Sequence, residues 1–169
     1  MAGDAGDCFL VEAGRCFRYR AGAVILHEGR VLMATNPNAG YVYSIGGAVR
    51  IGETAAQAAE REVLEETSVP MKALRPLFVH ENFFDEPYDG RPMRWHELSV
   101  YYLMEPGDLD GMRAAGVSMT GGAERLLWLS PSDFREGAVF PSFLPDVLFG
   151  SRKGARHVVT RDGADEFIM

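Results

Sequence analysis

Three glutamates in the stretch GGAVRIGETAAQAAEREVLEETSV, Glu62, Glu65 and Glu66, recur at i, i+3 and i+4. On a helix that spacing puts all three on one face. Like charges held so close repel, a local cost that a bound cation would offset. The donors suit a hard divalent ion, since Mg²⁺ takes oxygen ligands and completes its shell with water and substrate phosphates. The competing reading is the solvated face of an amphipathic helix, which is the default for an arbitrary acidic run. The helix is signalled by Thr54 and Gln57, three residues apart as in a capping box. It is supported by Ala55, Ala56, Ala58, Ala59 and Leu64, with no proline before Pro70. Ala56, Ala59 and Val63 form the apolar stripe expected to pack on a sheet.

The wider spacing decides between the two readings. Gly47, five residues, Glu53, seven residues, Arg61-Glu62-Val63, one residue, Glu65-Glu66, one residue, Ser68-Val69 resembles the Nudix box, G-x5-E-x7-R-E-U-x-E-E-x-G-U with U aliphatic. The one departure is Ser68, where the pattern has a glycine that eases a left-handed turn at the helix end. Serine can end the helix at modest conformational cost and carries no metal-binding duty. The order of elements resembles the Nudix fold from about residue 8 to residue 149. That resemblance implies a mixed β-sheet sandwiched between α-helices. The segments FRYRAGAVI, YSIGGAVRIGET, ENFFDEP and HELSVYYL are similar to a group of small bacterial hydrolases within the superfamily.

The resemblance implies roles residue by residue. Glu62, Glu65 and Glu66 bind the divalent metal, Mg²⁺ with Mn²⁺ able to substitute, and Glu62 is also a candidate for activating water. Gly46 supplies a carbonyl to the metal, and Gly46 and Gly47 offer backbone amides to substrate, because only small residues let a phosphate chain approach so closely. Glu53 and Arg61 brace each other across loop and helix. A further carboxylate from a later segment serves as base or ligand, and here Glu97 ranks narrowly ahead of Glu124. Glu97 and His96 are neighbours on a strand and must point to opposite faces. His96 by itself reads as a packing histidine. Phe83, Phe84, Tyr88 and Trp95 offer rings that could flank a nucleobase, with Phe84 the chosen candidate and Tyr41 and Tyr43 as competitors. Arg18 and Arg20 could reach phosphate, and Arg20 is taken as the substrate-binding one. The implied reaction is attack of water on phosphorus in a nucleoside diphosphate linked to a moiety X, such as ADP-ribose, a nucleotide sugar or a nucleoside triphosphate. Two alternatives stay open: a hydrolase of diphosphates outside nucleotides, and a ligand-binding regulator without catalysis. Loss of the box carboxylates would mark the regulator, and all three are intact.

Bulk properties bound these readings. A chain of 169 residues, 47% hydrophobic and 24% charged, has the composition of one soluble domain with a substantial core. Residues 1–169 are therefore taken as a single domain, with residues 1–7 a frayed tail. A net charge of −7 argues against nucleic-acid binding, which needs a basic surface. An acidic protein acting on an anionic substrate needs a bridging cation, in agreement with the carboxylate helix. No apolar run has transmembrane length, and MAGDAGD lacks the basic and apolar regions of a signal peptide. The expectation is a cytoplasmic protein with no membrane or nucleic-acid partner, compatible with a homodimer. Cys8 and Cys16 are expected to be reduced.

The elements that position the site are expected as follows. Strands run over Cys8–Glu12, Arg15–Arg20, Gly22–His27, Arg30–Thr35 and Tyr41–Ile45, the last delivering Gly46-Gly47 to the box. After the helix come a strand over Leu74–Phe84, a turn-rich loop over Asp85–Pro92 and a long returning strand over Met93–Met104. Residues 105–123 carry five glycines and read as a loop. A short buried strand over Arg125–Leu129 follows, then one-turn and short helices near Pro131–Phe134 and Pro141–Phe149. Arg156–Thr160 is a candidate strand, and the remainder reads as tail.

Overall fold

The computed structural model of the chain describes residues 6–38, 40–112 and 123–168. Its central sheet is built on a long strand, β2 (Arg15–Val24), flanked by the hairpin strand β1 (Phe9–Glu12) and by β8 (Arg91–Met104). The sheet continues through β7 (Ala73–Tyr88), β11 (His157–Arg161) and β12 (Ala164–Ile168), in the order β1-β2-β8-β7-β11-β12. A three-residue strand, β6 (Gly46–Ala48), also pairs with β2, so Gly46 lies opposite Gly22 and Gly47 opposite Ala21. The pairing mixes parallel (β2 with β8, β7 with β11) and antiparallel ladders. A smaller sheet contains β3 (Leu26–His27), β4 (Arg30–Thr35), β5 (Val42–Ser44), β9 (Arg125–Leu129) and β10 (Val139–Phe140).

The helix α1 (Ala55–Thr67) covers one face of the central sheet. Thr54 caps it with both hydrogen bonds of a capping box, to and from Gln57. Its buried face is Ala55, Ala58, Ala59, Val63, Glu66 and Thr67; Ala56, expected in the stripe, is only half-buried. Alanine against alanine explains the close seat, since Ala58 and Ala59 pack in one cluster with Ala21 and Ala23 of β2 and Leu32 and Ala34 of β4. The opposite face packs on the short helices α2 (Asp133–Glu136) and α3 (Leu144–Leu148), with Phe78, Tyr101, Phe143, Leu144 and Val158 in one buried cluster. The fold is mixed α/β, sheet between helices. Among the described residues no helix is long and apolar enough to cross a membrane.

Several sequence expectations need correction. The segment Asp85–Pro92 is not a loop, because β7 and β8 stay paired out to Tyr88 opposite Arg91, and only Asp89-Gly90 turn. Both turn residues have positive φ, 50° and 71°, the pattern of a tight hairpin turn. Asp162-Gly163 (φ 51° and 86°) makes the same kind of turn near the end, so the expected tail is the β11–β12 hairpin. Of the expected frayed tail, residues 1–5 lie outside the described residues. The Gly6 carbonyl accepts from the Ile51 amide at 2.9 Å, Asp7 bridges to Arg50, and the Cys8 amide donates to the Val49 carbonyl at 2.8 Å. The amino-terminal segment is thus paired with the loop of the box. Most of the glycine-rich 105–123 stretch lies outside the described residues at 113–122; Leu109–Gly111 forms one 3-10 turn. Cys8 and Cys16 are free thiols: Cys16 sits opposite Val11, and the Cys8 carbonyl accepts from the Tyr19 amide.

Candidate functional site

The site is assembled where β6 meets the carboxyl-terminal half of α1. Gly46 takes φ of 137°, a backbone conformation suited to glycine, and a Cβ there would lie 2.2 Å from the Ala21 carbonyl oxygen. Gly47 is required for a different reason: a Cβ there would lie 2.4 Å from the carboxyl carbon of Glu62. The glycine pair therefore lets the helix carboxylates lie directly against strand backbone. The Gly46 amide donates to Glu66 Oε1 at 3.0 Å.

The three helix glutamates have distinct surroundings. Glu66 is buried, and its Oε2 has no hydrogen-bond partner. Burial pushes its pKa up to about 8, and the carboxylates of Glu124 and Glu62 act in the same direction. Glu62 is mostly buried and bonded to Arg61; burial again raises its pKa, with Arg61 opposing. Glu65 is half-exposed, 3.2 Å from Arg61 and 3.6 Å from Arg50. Arg61 also grips both oxygens of Glu53, at 2.9 and 3.0 Å, and donates to the Ala48 carbonyl at 2.9 Å. That fork ties the loop, β6 and α1 together, and its hydrogen bonds hold the Glu53 carboxyl below its ordinary pKa. At the end of the helix, Ser68 has φ of 62° and its amide donates to the Leu64 carbonyl. Serine here takes the left-handed position that the glycine of the pattern would fill.

The second sheet contributes Glu124. It precedes Leu126 by two residues, and Leu126 is registered with Ala34 and Ala34 with Tyr43, so Glu124 shares a sheet face with Tyr43. The Tyr43 hydroxyl donates to Glu124 Oε1 at 2.7 Å, and Glu124 Oε2 is buried without a partner. Burial raises the Tyr43 phenol well above its ordinary pKa, and the bond to Glu124 adds to this.

Two sequence candidates are not brought here. Glu97 is registered with Arg18, four residues along β2 from Gly22, which is roughly 13 Å of strand. It is buried in an ion pair with Arg18 and accepts from Ser99 Oγ at 3.2 Å. Burial alone would raise its pKa, but Arg18 and Arg20 outweigh that and lower it. Phe84 lies farther still, stacked on Trp95 at 5.8 Å and 5°, where Phe9 and Tyr88 complete an aromatic cluster. Phe83 stacks on His96, whose Nε2 lies 3.0 Å from Glu81 Oε2 on the other face of the sheet. Arg20 does lie at the site, beneath it. Its guanidinium donates to the carbonyls of Ser44 at 2.9 Å and Gly46 at 3.1 Å, and to the hydroxyls of Ser44 and Tyr101 at 3.3 Å each. These bonds engage the Gly46 carbonyl that the sequence assigned to metal, and they spend Arg20 on holding the glycine strand. Nothing in the sequence ranked Tyr43 as a partner of Glu124; the signal was its alternation with Tyr41 on the strand that leads to the glycines.

The donor set fits a hard cation. All the side-chain donors are carboxylates, and two of their oxygens are buried with nothing to bond. Among the described residues no three acidic, histidine or cysteine side chains converge into a closed cage. Glu66 meets the Gly46 amide, Glu62 lies against Gly47 and Glu65 stays half-exposed, an open arrangement suited to an ion that keeps water and takes oxygens from a substrate.

Comparison with known proteins agrees with this geometry. The model of the NUDIX domain matches residues 17–146, and the chain belongs to the Nudix family of hydrolases. Among solved structures, the fold is similar to the Mutator MutT protein from Bacillus halodurans, with a TM-score of 0.59 and 16% identity over 90% of this chain and 95% of that one. It is also similar to the MutT protein from Methanosarcina mazei Go1 (TM-score 0.56, 15% identity, 80% and 92% covered) and to a NUDIX hydrolase from Nitrosomonas europaea (0.55, 18%, 83% and 91%). At these identities the likeness is one of fold.

Proposed function

We propose that this chain is a Mg²⁺-dependent hydrolase of a diphosphate linkage in a nucleoside diphosphate joined to a moiety X, with Mn²⁺ able to replace Mg²⁺. The observation that carries this reading is the pair of buried, unpartnered carboxylate oxygens, Glu66 Oε2 and Glu124 Oε2, flanking the glycine strand. Buried carboxylates without partners are costly in a protein that never binds a cation. Glu62, Glu65 and Glu66 would hold the ion, which supplies charge neutralisation at the phosphoryl oxygens and acidifies a bound water. Glu124, fixed by the Tyr43 hydroxyl, accepts the proton of the attacking water. Gly46 and Gly47 keep side chains out of the path of the phosphates. Arg61 and Glu53 hold the loop against the helix, and Arg20 holds the glycine strand from below. Glu97 is assigned to neutralising Arg18 within the sheet and Phe84 to hairpin packing. The products are a nucleoside monophosphate and X-phosphate, released from a small-molecule substrate in the cytoplasm.

The test is hydrolysis by wild type and Glu65→Gln, with and without Mg²⁺ or Mn²⁺, of nucleoside triphosphates, ADP-ribose, nucleotide sugars and diphosphates that lack a base. Metal-dependent release that is lost in the variant is expected. A folded wild type that turns over none of these, in either metal, would sink the proposal.

A further inference from the structure

Glu65 has a guanidinium beside each of its carboxylate oxygens. Oε2 lies 3.2 Å from Arg61 Nη1, and Oε1 lies 3.6 Å from Arg50 Nη2. The two arginines are held differently. Arg61 is pinned by its fork on Glu53 and its bond to the Ala48 carbonyl. Arg50 is fixed through its backbone: its amide donates to Glu53 Oε2 at 3.0 Å, its carbonyl accepts from the Glu53 amide at 3.0 Å, and it bridges to Asp7. Its side chain is 39% exposed, and among the described residues the approach to Glu65 is its one polar contact. At 3.6 Å that contact is charge attraction without a hydrogen bond. Arg50 is thus a loose side chain on a fixed base.

We propose that Arg50 is an exchangeable counter-ion. It neutralises Glu65 while no cation is bound, and turns to phosphate oxygens of the substrate once Glu65 holds the ion. The inference rests on the diphosphate-hydrolase reading and adds a residue that reading does not use. A divalent ion and a guanidinium compete for the same carboxylate, so the charge of Arg50 opposes ion binding. Displacing it costs little, because a half-exposed ion pair contributes only a small factor in affinity. The displaced guanidinium stands beside a ligand of the ion, and therefore beside any anion that the ion carries. Its planar fork can meet two phosphoryl oxygens at once. Arg61 and Arg20 are already spent on protein carboxylates, carbonyls and hydroxyls. Arg50 therefore acts in opposite senses on the two ligands, weakening the first to bind and strengthening the second.

The test follows two ligands by calorimetry: Mn²⁺ alone, and methylenediphosphonate, whose P–C–P bridge resists hydrolysis, in saturating Mg²⁺. Arg50→Gln should tighten Mn²⁺ binding about two- to fivefold, the range for loss of an exposed ion pair. The same variant should weaken methylenediphosphonate binding about tenfold or more, the range for a lost charge-assisted hydrogen bond. Arg50→Lys keeps the charge but not the fork, so Mn²⁺ binding should stay near wild type while diphosphonate binding falls between the two. The backbone bonds of residue 50 do not involve its side chain, so both variants should keep the loop in place. A side chain that merely braced the loop would weaken both ligands together; that result, or no change in either, would overturn the assignment. If wild type cleaves no diphosphate and binds no diphosphonate, the hydrolase reading fails separately. The Mn²⁺ titration then decides the pairing with Glu65 alone: it stands if Arg50→Gln tightens binding, and falls if it does not or if wild type binds no Mn²⁺.

Discussion

Replacing Glu66 with glutamine removes a carboxyl whose ionisation the metal-free fold opposes, and stability should register this as a function of pH. The folded pKa is about 8 against an ordinary value of 4.5, with burial the main cause. Between those values the folded protein holds a proton that the unfolded chain has released. The resulting stabilisation is fully present below 4.5, falls as pH rises and is gone above about 8. The slope inside that window is about 1.4 kcal/mol per pH unit. From about pH 5.5 to about pH 7.5 the wild type should therefore lose roughly 2.7 kcal/mol relative to Glu66→Gln. For a domain of this size that is a melting-temperature difference of about 5–10 °C. The assay is thermal unfolding of both proteins in a chelator across that range. Saturating Mg²⁺ should erase the difference for wild type, because an ion binding the ionised carboxylate supplies what the fold withholds. Wild-type and Glu66→Gln melting curves that run parallel with pH would refute the burial argument.

Other perturbations separate support from chemistry. Glu124→Gln should reduce kcat by about a hundredfold or more with little change in unfolding free energy, the usual loss for a general base. Glu97→Gln should do the reverse, losing about 2–3 kcal/mol in denaturant melts by leaving Arg18 with a neutral partner, while kcat stays near wild type. Arg61→Lys cannot span both Glu53 oxygens and the Ala48 carbonyl, so a loss of about 2 kcal/mol is expected by urea unfolding. Ser68→Gly should stabilise by roughly 0.5–1 kcal/mol in the same assay, since the residue sits at φ of 62°; a destabilised variant would count against strain there.

Local chemistry was the legible part of this chain. The capping pair Thr54–Gln57, the run of alanines and the carboxylate spacing marked where α1 begins and which face it presents, and Arg30–Thr35 and Arg125–Leu129 emerged as read. The hairpin at Asp89-Gly90 was hidden by its own prolines. Pro87 and Pro92 suggest a loop, yet they face each other at the last rungs of the ladder, where few amides are needed. The Asp-Gly dipeptides at 89–90 and 162–163 carried the correct signal, the same one that Ala13-Gly14 and Glu28-Gly29 gave. The site was less legible because strand register brings its members together from distant segments. No local pattern says that Glu97 falls opposite Arg18, that Arg20 lies under Gly46, or that Tyr43 meets Glu124. Residues 113–122, which belong to the expected loop, lie outside the described residues.

The pairing of Gly6, Asp7 and Cys8 with the loop at Val49–Ile51 bears on how the motif can be used. The stretch from Gly47 to Val69 looks self-contained as a string of letters. Physically, the strand and loop that precede its helix take their backbone partners from elsewhere: the amino-terminal segment on one side and β2 on the other, with Arg20 clamped beneath. Grafting that stretch onto a foreign scaffold would transfer the carboxylates without the surfaces that aim them. An engineer wishing to move this chemistry would have to carry the segment of Gly6, Asp7 and Cys8, β2 and β5 along with it.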